Sequence, residues 1–504
     1  MTTFVLSIIA LIAGYLCYGR LVEHQFGIDA SRPTPATRLN DGVDYIAMPT
    51  WRVYLIQFLN IAGTGPIFGA IMGILFGPAA YLWIVVGCIF MGAVHDYLCG
   101  MISLREDGAS LPEMVGNELG NVARQAMRVL SLILLVLVGT VFVTTSAGLL
   151  ASMTNGVMGY DASVWRTVWL CAVFAYCILA TLLPIDTLIG RLYPLFGAAL
   201  LLMAIGVGAG IFTEAGWLPE LTDAPFVSHH PKGLPIFPFL CITIACGAIS
   251  GFHATQSPLM SRCLRTERNG RFVFYGAMIT EGIVALVWAA AAIKFASTWS
   301  PADAAVSSDA TPYQRLAALM SSGSGSNPSL VVNMICQTWM GRLGAILAVL
   351  GVVAAPITSG DTAFRSARLI LSEFTGIRQQ LTRQRLLLSL PLFAISVCLL
   401  FIDFDVLWRY FAWFNQTLAT CFLWTAAVWM LRRGRCHWIA FVPAVFMTVV
   451  VTSYILAAPE GFSLPLPLSL AAGLAMACCL AILYLRMVAH CKRSHTPATD
   501  TQHG

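Results

Sequence analysis

A polytopic, all-α membrane protein is the fold class this sequence predicts, and three observations carry the prediction. Charged residues fill 11% of the 504 positions, where a soluble protein carries roughly 25%. Hydrophobic residues fill 58%, with a mean hydropathy of +0.78. Apolar runs long enough to cross a bilayer as helices recur from end to end. They are continuous rather than alternating, which argues against a transmembrane β-barrel. Finally, arginines gather in alternate connections between the runs, as cytoplasmic loops require.

Thirteen spans follow, near 3–20, 53–76, 79–103, 129–152, 164–183, 188–213, 235–256, 273–297, 342–362, 386–402, 408–431, 438–458 and 466–488. The opening MTTFVLSIIALIAGYLCYG has no basic leader and no small-residue cleavage site, so it reads as a retained first helix. Of the 29 lysines and arginines, only Arg166, Lys232, Lys294, Arg315, Arg342 and Arg409 fall outside the cytoplasmic set. A wrong helix count would scramble this partition. It therefore supports an outside N-terminus and a cytoplasmic C-terminus, and it explains the net charge of +5 without nucleic-acid binding. Loops 214–234 and 298–341 belong outside, the second reading as mobile from its SSGSGSNPS stretch. Apart from the adjacent Cys478 and Cys479, the 15 cysteines are scattered singly, with no CxxC pair and no zinc spacing. Neither a metal site nor a disulfide framework is expected; buried cysteine serves as a small apolar residue.

The second span contains GTGPIFG, residues 63–69, which should ruin a helix. Irregular backbone survives in lipid only where it lines a cavity or is buried in protein, so Gly63, Thr64, Gly65 and Pro66 are candidate substrate contacts. The alternative is close helix packing through glycine. The seventh span, FPFLCITIACGAISGFHATQSP, holds a second interruption with Gly247, Ser250, Gly251, Phe252 and His253. Five helices separate the two spans, and they run in opposite directions. That is the pattern of an inverted repeat, spans two to six against seven to eleven. In such transporters half-helix N-termini face an anionic group while unwound carbonyls hold a cation.

The ninth span, GVVAAPITSGDTAFRSARL, has Pro356 to bend it and Thr358, Ser359 and Asp361 after the bend. Paired hydroxyls there resemble the sodium position of LeuT-type transporters; bonding back to their own helix is the equal alternative. Ionisable groups within the bilayer mark function by default, which adds His95, Asp96 and Glu281 to the ion-coupling candidates. A neutral histidine beside a carboxylate can exchange a proton near pH 7, or it can simply fix packing. Asp186 and Arg191 read as a structural pair. Asn415 and Gln416, within WRYFAWFNQTLAT, either face substrate or knit helices together.

These stretches together resemble the carbon starvation CstA family of membrane transporters. The carriers are AGTGPIFGAIMG (62–73), GAVHDY (92–97), PIDTLIGRLYPLFG (184–197), FPFLCITIACGAISGFHA (237–254), TSGDTAFRSARLIL (358–371), YFAWFNQTLAT (410–420) and FVPAVFMTVVVTSYI (441–455). The resemblance implies a bacterial inner-membrane protein of the amino acid–polyamine–cation superfamily type, with a LeuT-like repeat and pyruvate/proton symport or peptide uptake under carbon starvation. After GFHA this chain reads TQSPLMSRCLR, where the family commonly has a Ser/Thr-rich turn and a lysine.

The expectation is a symporter for a small carboxylate such as pyruvate, coupled to H⁺ or Na⁺, with di- or tripeptide uptake as the alternative. The chain is shorter than the family's longer, peptide-linked branch, which favours the small solute. A nutrient sensor and an intramembrane hydrolase at His95 and Asp96 are remote alternatives. No cofactor, nucleotide motif or nucleic-acid partner is expected. One transmembrane domain should cover 1–490, with repeats at 53–213 and 235–431, peripheral helices at 3–20 and 438–488, and a disordered tail at 491–504. Oligomeric state is not legible.

Overall fold

The computed structural model describes residues 1–41, 45–154, 161–182, 185–299, 309–321, 328–377 and 381–494. Every regular element among them is helical. Helices α1 (Thr2–Leu16) and α2 (Tyr18–Phe26) run on as one span, and a short α3 (Pro35–Arg38) lies in the first connection. The second span is split into α4 (Thr50–Ile61) and α5 (Gly65–Gly73); α6 (Ala79–Gly87) and α7 (Ala93–Arg105) form the third. Next come α8 (Leu111–Leu119), α9 (Asn121–Thr154), α10 (Ala162–Leu182) and α11 (Ile185–Thr213). The seventh span is split into α12 (Ile236–Thr243) and α13 (Gly251–Ser261), and α14 (Gly276–Thr298) follows. The chain continues through α15 (Pro312–Ser321), α16 (Pro328–Ala348), α17 (Ala354–Thr375) and α18 (Thr382–Leu399). It closes with α19 (Phe404–Arg432), α20 (Trp438–Ala457) and α21 (Leu466–Ser494).

A helix thus stands at each expected span. Among the described residues nine helical stretches are long and apolar enough to cross a membrane by themselves, and α4 with α5 makes a tenth, bent by 47°. Burial separates centre from rim. The most apolar window of Glu267–Thr298 is 89% buried, against 28% for Thr2–Phe26 and 22% for Leu466–His490. So α14 lies in the middle of the bundle, packed on all sides, and α1 and α21 present leucine and isoleucine outward. Such exposure is what an apolar solvent demands.

Two expectations need correction, those for the loop 298–341 and for the tail from 491. The loop 298–341 holds α15 and the first part of α16, which turns at Gly341 (φ 57°, ψ −139°). A capping box starts α15: the Thr311 N–H donates to Gln314 Oε1 at 2.9 Å, and the Gln314 N–H to Thr311 Oγ1 at 3.3 Å. Serine and glycine content hid these helices; residues 322–327 of SSGSGSNPS lie outside the described residues. The third connection likewise holds α8, at whose start the Ser110 N–H donates to Glu113 Oε2 at 2.8 Å. Near Pro356 the chain takes a π turn at Val349–Val353, which absorbs the missing N–H and the ring's clash one turn back. Last, α21 runs to Ser494, so the tail is helical over 491–494; residues 495–504 lie outside the described set. The side chains of Asp186 and Arg191 do so too.

Candidate functional site

Both suspected interruptions are real. Helix α4 stops at Ile61, where Ala62 leaves helical geometry (φ −85°, ψ 48°), and α5 restarts at Gly65 with Pro66 in its first turn. Proline is at home there, because a first-turn N–H has no intrahelical partner to lose. GTGP is therefore a helix start placed inside the bundle. Thr64 occupies the cap position without making a side-chain cap bond. Its hydroxyl and the Asn60 Oδ1 are buried and have no hydrogen-bond partner. One half-helix N-terminus is thus left with its positive end open.

The second interruption covers residues 244–250, and here neighbouring side chains fill the gaps. Ser250 is the N-cap residue of α13. Asn415 of α19 accepts, at Oδ1, the Phe252 N–H at 2.7 Å and the Ser250 hydroxyl at 3.0 Å. One residue further on, Gln416 donates to the Cys241 carbonyl at the end of α12. The Trp83 indole donates to the Ile244 carbonyl at 3.0 Å. The two breaks touch. A β-carbon on Gly65 would run into the Cys246 sulfur, and one on Gly69 would stand 2.9 Å from the Thr243 carbonyl oxygen. Glycine is required at these positions by space, not by torsion angle.

Beside the second break lies a chain of fully buried ionisable groups. His95 Nδ1 is 2.8 Å from Asp96 Oδ1, and His253 Nδ1 is 2.8 Å from Asp96 Oδ2. His253 Nε2 is 3.4 Å from Glu281 Oε2, and neither Glu281 oxygen has a hydrogen-bond partner. Three helices supply the four groups: α7 gives His95 and Asp96, α13 gives His253 from its first turn, and α14 gives Glu281 from the centre of the bundle. Their relative exposure is 0%, so bulk solvent does not screen them.

Of the remaining sequence candidates, Gly247 lies in the second break, and Gly251 opens α13 against the Asn415 backbone. Ser359 reaches the first break, its hydroxyl donating to the Leu59 carbonyl at 3.5 Å. Thr358 bonds back to the Ala355 carbonyl at 2.7 Å. Asp361 forms an ion pair with Arg365 at 3.8 Å, whose guanidinium also donates to the Ala180 carbonyl. Asn60, Trp83 and Cys246 were not anticipated. Cysteine spacing gave no sign of Cys246; its position just ahead of the glycine of the break was the signal available.

Broken helices meeting at buried polar groups define the membrane-transporter class, and comparison with solved structures agrees on the fold. The manganese transporter of Eremococcus coleocola superposes with a TM-score of 0.54 at 14% identity, covering 90% of this chain and 99% of that one. The family profile for carbon starvation protein CstA matches residues 1–165 and 153–454. The chain belongs to the CstA family. Two Escherichia coli (strain K12) relatives illustrate its range. Peptide transporter CstA is 25% identical over 556 aligned residues, with 88% of this chain and 79% of that protein covered. Pyruvate/proton symporter BtsT is 29% identical over 344, covering 56% of this chain and 47% of that one. Membership places this multi-pass membrane protein among transporters rather than enzymes.

Proposed function

We propose that the chain is a secondary symporter that brings a small carboxylate, pyruvate first, across the bacterial inner membrane with H⁺ or Na⁺. The open N-terminus of α5 is the observation that carries this reading. Of the two half-helix starts, α13 has its Phe252 N–H taken by Asn415, whereas the start of α5 has no side-chain cap and lies beside the unpartnered Thr64 hydroxyl and Asn60 amide oxygen. A solute carboxylate fits such a place, because a helix start is an anion site. Close packing of Gly63 against the Phe142 ring, 3.1 Å from an added β-carbon, favours a small solute.

The thirteen helices are read as a 5+5 inverted repeat, 53–213 and 235–431, inside one domain with an outside N-terminus and a cytoplasmic C-terminus. The Ser359 hydroxyl beside the Leu59 carbonyl supports sodium as the coupling ion; the name of the BtsT relative supports protons. A di- or tripeptide is the second reading. It presents the same terminal carboxylate, and it is supported by the name of the CstA relative.

Uptake of labelled pyruvate and of labelled tripeptide by proteoliposomes, under imposed pH or Na⁺ gradients, tests the proposal. Concentrative pyruvate uptake driven by one of the two gradients is expected. Tripeptide uptake without pyruvate uptake selects the second reading, and absence of both rejects symport.

A further inference from the structure

We infer that Cys246, His253 and Glu281 form a binding site for one divalent transition-metal ion of the zinc, cobalt or nickel type. The inference is independent of which solute is carried. It starts from an electrostatic conflict. Asp96 Oδ2 lies 2.8 Å from His253 Nδ1; a carboxylate can only accept, so a neutral imidazole in this contact carries its proton on Nδ1 and keeps a lone pair on Nε2. That lone pair faces a Glu281 carboxylate oxygen 3.4 Å away, in a part of the protein sealed from bulk solvent, and among the described residues neither Glu281 oxygen has a hydrogen-bond partner. Two electron-rich atoms facing each other away from bulk solvent call for a positive charge between them.

Distance and donor chemistry select the charge. A charged N–H···O bond closes to roughly 2.7–2.9 Å, shorter than the gap seen. Ligands bound about 2.0–2.2 Å from a tetrahedral ion stand roughly 3.3–3.5 Å apart, and the gap matches that edge. The Cys246 sulfur completes a triangle, all three donor atoms lying within 4.8 Å of one another. Thiolate plus imidazole selects soft or borderline metals over Na⁺, Mg²⁺ or Ca²⁺. Thiolate plus carboxylate also cancels a double positive charge, so the loaded cluster adds no net charge to the core.

Supporting bonds stand where metal sites need them. Asp96 orients the imidazole through its second nitrogen, and His95 in turn bonds Asp96. The Asn415 amide donates to the Cys246 sulfur at 3.4 Å. Three protein ligands leave a fourth position for water or an incoming group.

The test uses full-length, tag-free protein in nanodiscs, stripped with chelator and then titrated with Co²⁺ and, separately, Zn²⁺. The expected result is about one equivalent bound per chain. Bound Co²⁺ should show a near-ultraviolet thiolate charge-transfer band and intense visible bands of tetrahedral geometry. Cys246→Ser should abolish the charge-transfer band, and Cys99→Ser, another buried thiol, should keep it. Asp96→Asn should retain the band and weaken affinity by about 10–100-fold; Glu281→Gln should weaken it at least as much. Monodisperse elution and unchanged helical circular dichroism establish that each variant is folded. Failure of folded wild-type protein to bind a stoichiometric ion overturns the inference, leaving a proton shared by Glu281 and His253 as occupant. A cobalt spectrum without sulfur character, or one that survives Cys246→Ser, overturns it too. Normal metal binding without solute uptake would defeat the proposed transport function alone.

Discussion

At the scale of single residues, the site depends on positions where one added carbon cannot be placed. Gly65 meets the Cys246 side chain with no space for a β-carbon, and overpacking of a dense core costs about 1–3 kcal/mol. Gly65→Leu is therefore expected to abolish uptake, because it forces the two breaks apart, while membrane insertion and yield stay near wild type. Normal transport by that variant would remove the first break from the solute path. Several residues of this site were legible in the sequence. Glycine and proline within an apolar run, and charged groups where lipid forbids them, single out Gly63–Pro66, His95, Asp96, His253 and Glu281 without any coordinates. What the sequence did not give was adjacency. The pairing of Asp96 with His253 spans 157 positions, and no spacing rule links α7 to α13. Asn415 and Gln416 show the same limit. Their polarity was noticed, but their use as backbone partners for the second break follows only from where α19 packs.

At the scale of elements, long apolar helices were found from hydropathy because burial in lipid imposes composition over some twenty residues. Short helices outside that medium carry no such mark, so α8 and α15 were missed even though a Glu or Gln side chain three residues on accepts the N-cap N–H of each. The segment joining α11 to α12 shows what packing adds. His230 lies against the Phe76 ring, 4.8 Å between centroids, covering the end of the second span. Burial lowers the affinity of this imidazole for protons, and the positive charges of Lys232 and Arg409 add to it, moving its pKa from 6.5 to about 4. The neutral ring is the form the fold favours. Stability from this contact is thus complete above pH 6.5 and falls as the pH drops from 6.5 toward 4. Hydrogen exchange in residues 226–234, corrected for its intrinsic pH dependence, should rise over that interval. His230→Phe should remove the rise; an unchanged profile in both proteins would refute the account.

At the scale of the whole molecule, the arginine-bearing connections and the sparsely charged ones define two faces, and the proposed orientation is checked by labelling. A cysteine placed at Thr2 should react with an impermeant maleimide in intact cells, and one placed at Ser494 only after the membrane is opened. Both assays need a background in which exposed native cysteines such as Cys17 and Cys478 are replaced. The reverse pattern would invert the direction assigned to uptake. Global arrangement was readable from sequence only as far as two periodic signals reach, hydropathy along the chain and charge between spans. Which helices occupy the centre was not, since α14 and α21 are both apolar yet differ several-fold in burial.

Asn415 and Gln416 occupy one turn of a rigid rod, and each holds a different half of α12/α13. Fastened in this way, the seventh span cannot fold at its gap without tearing away from α19, and it must swing as a single lever. Among the described residues, no side chain bonds the backbone of the second span at Ala62–Thr64 in this way. Under the proposed transport function, that unfastened joint is where the second span bends most easily, with the other serving as its fulcrum.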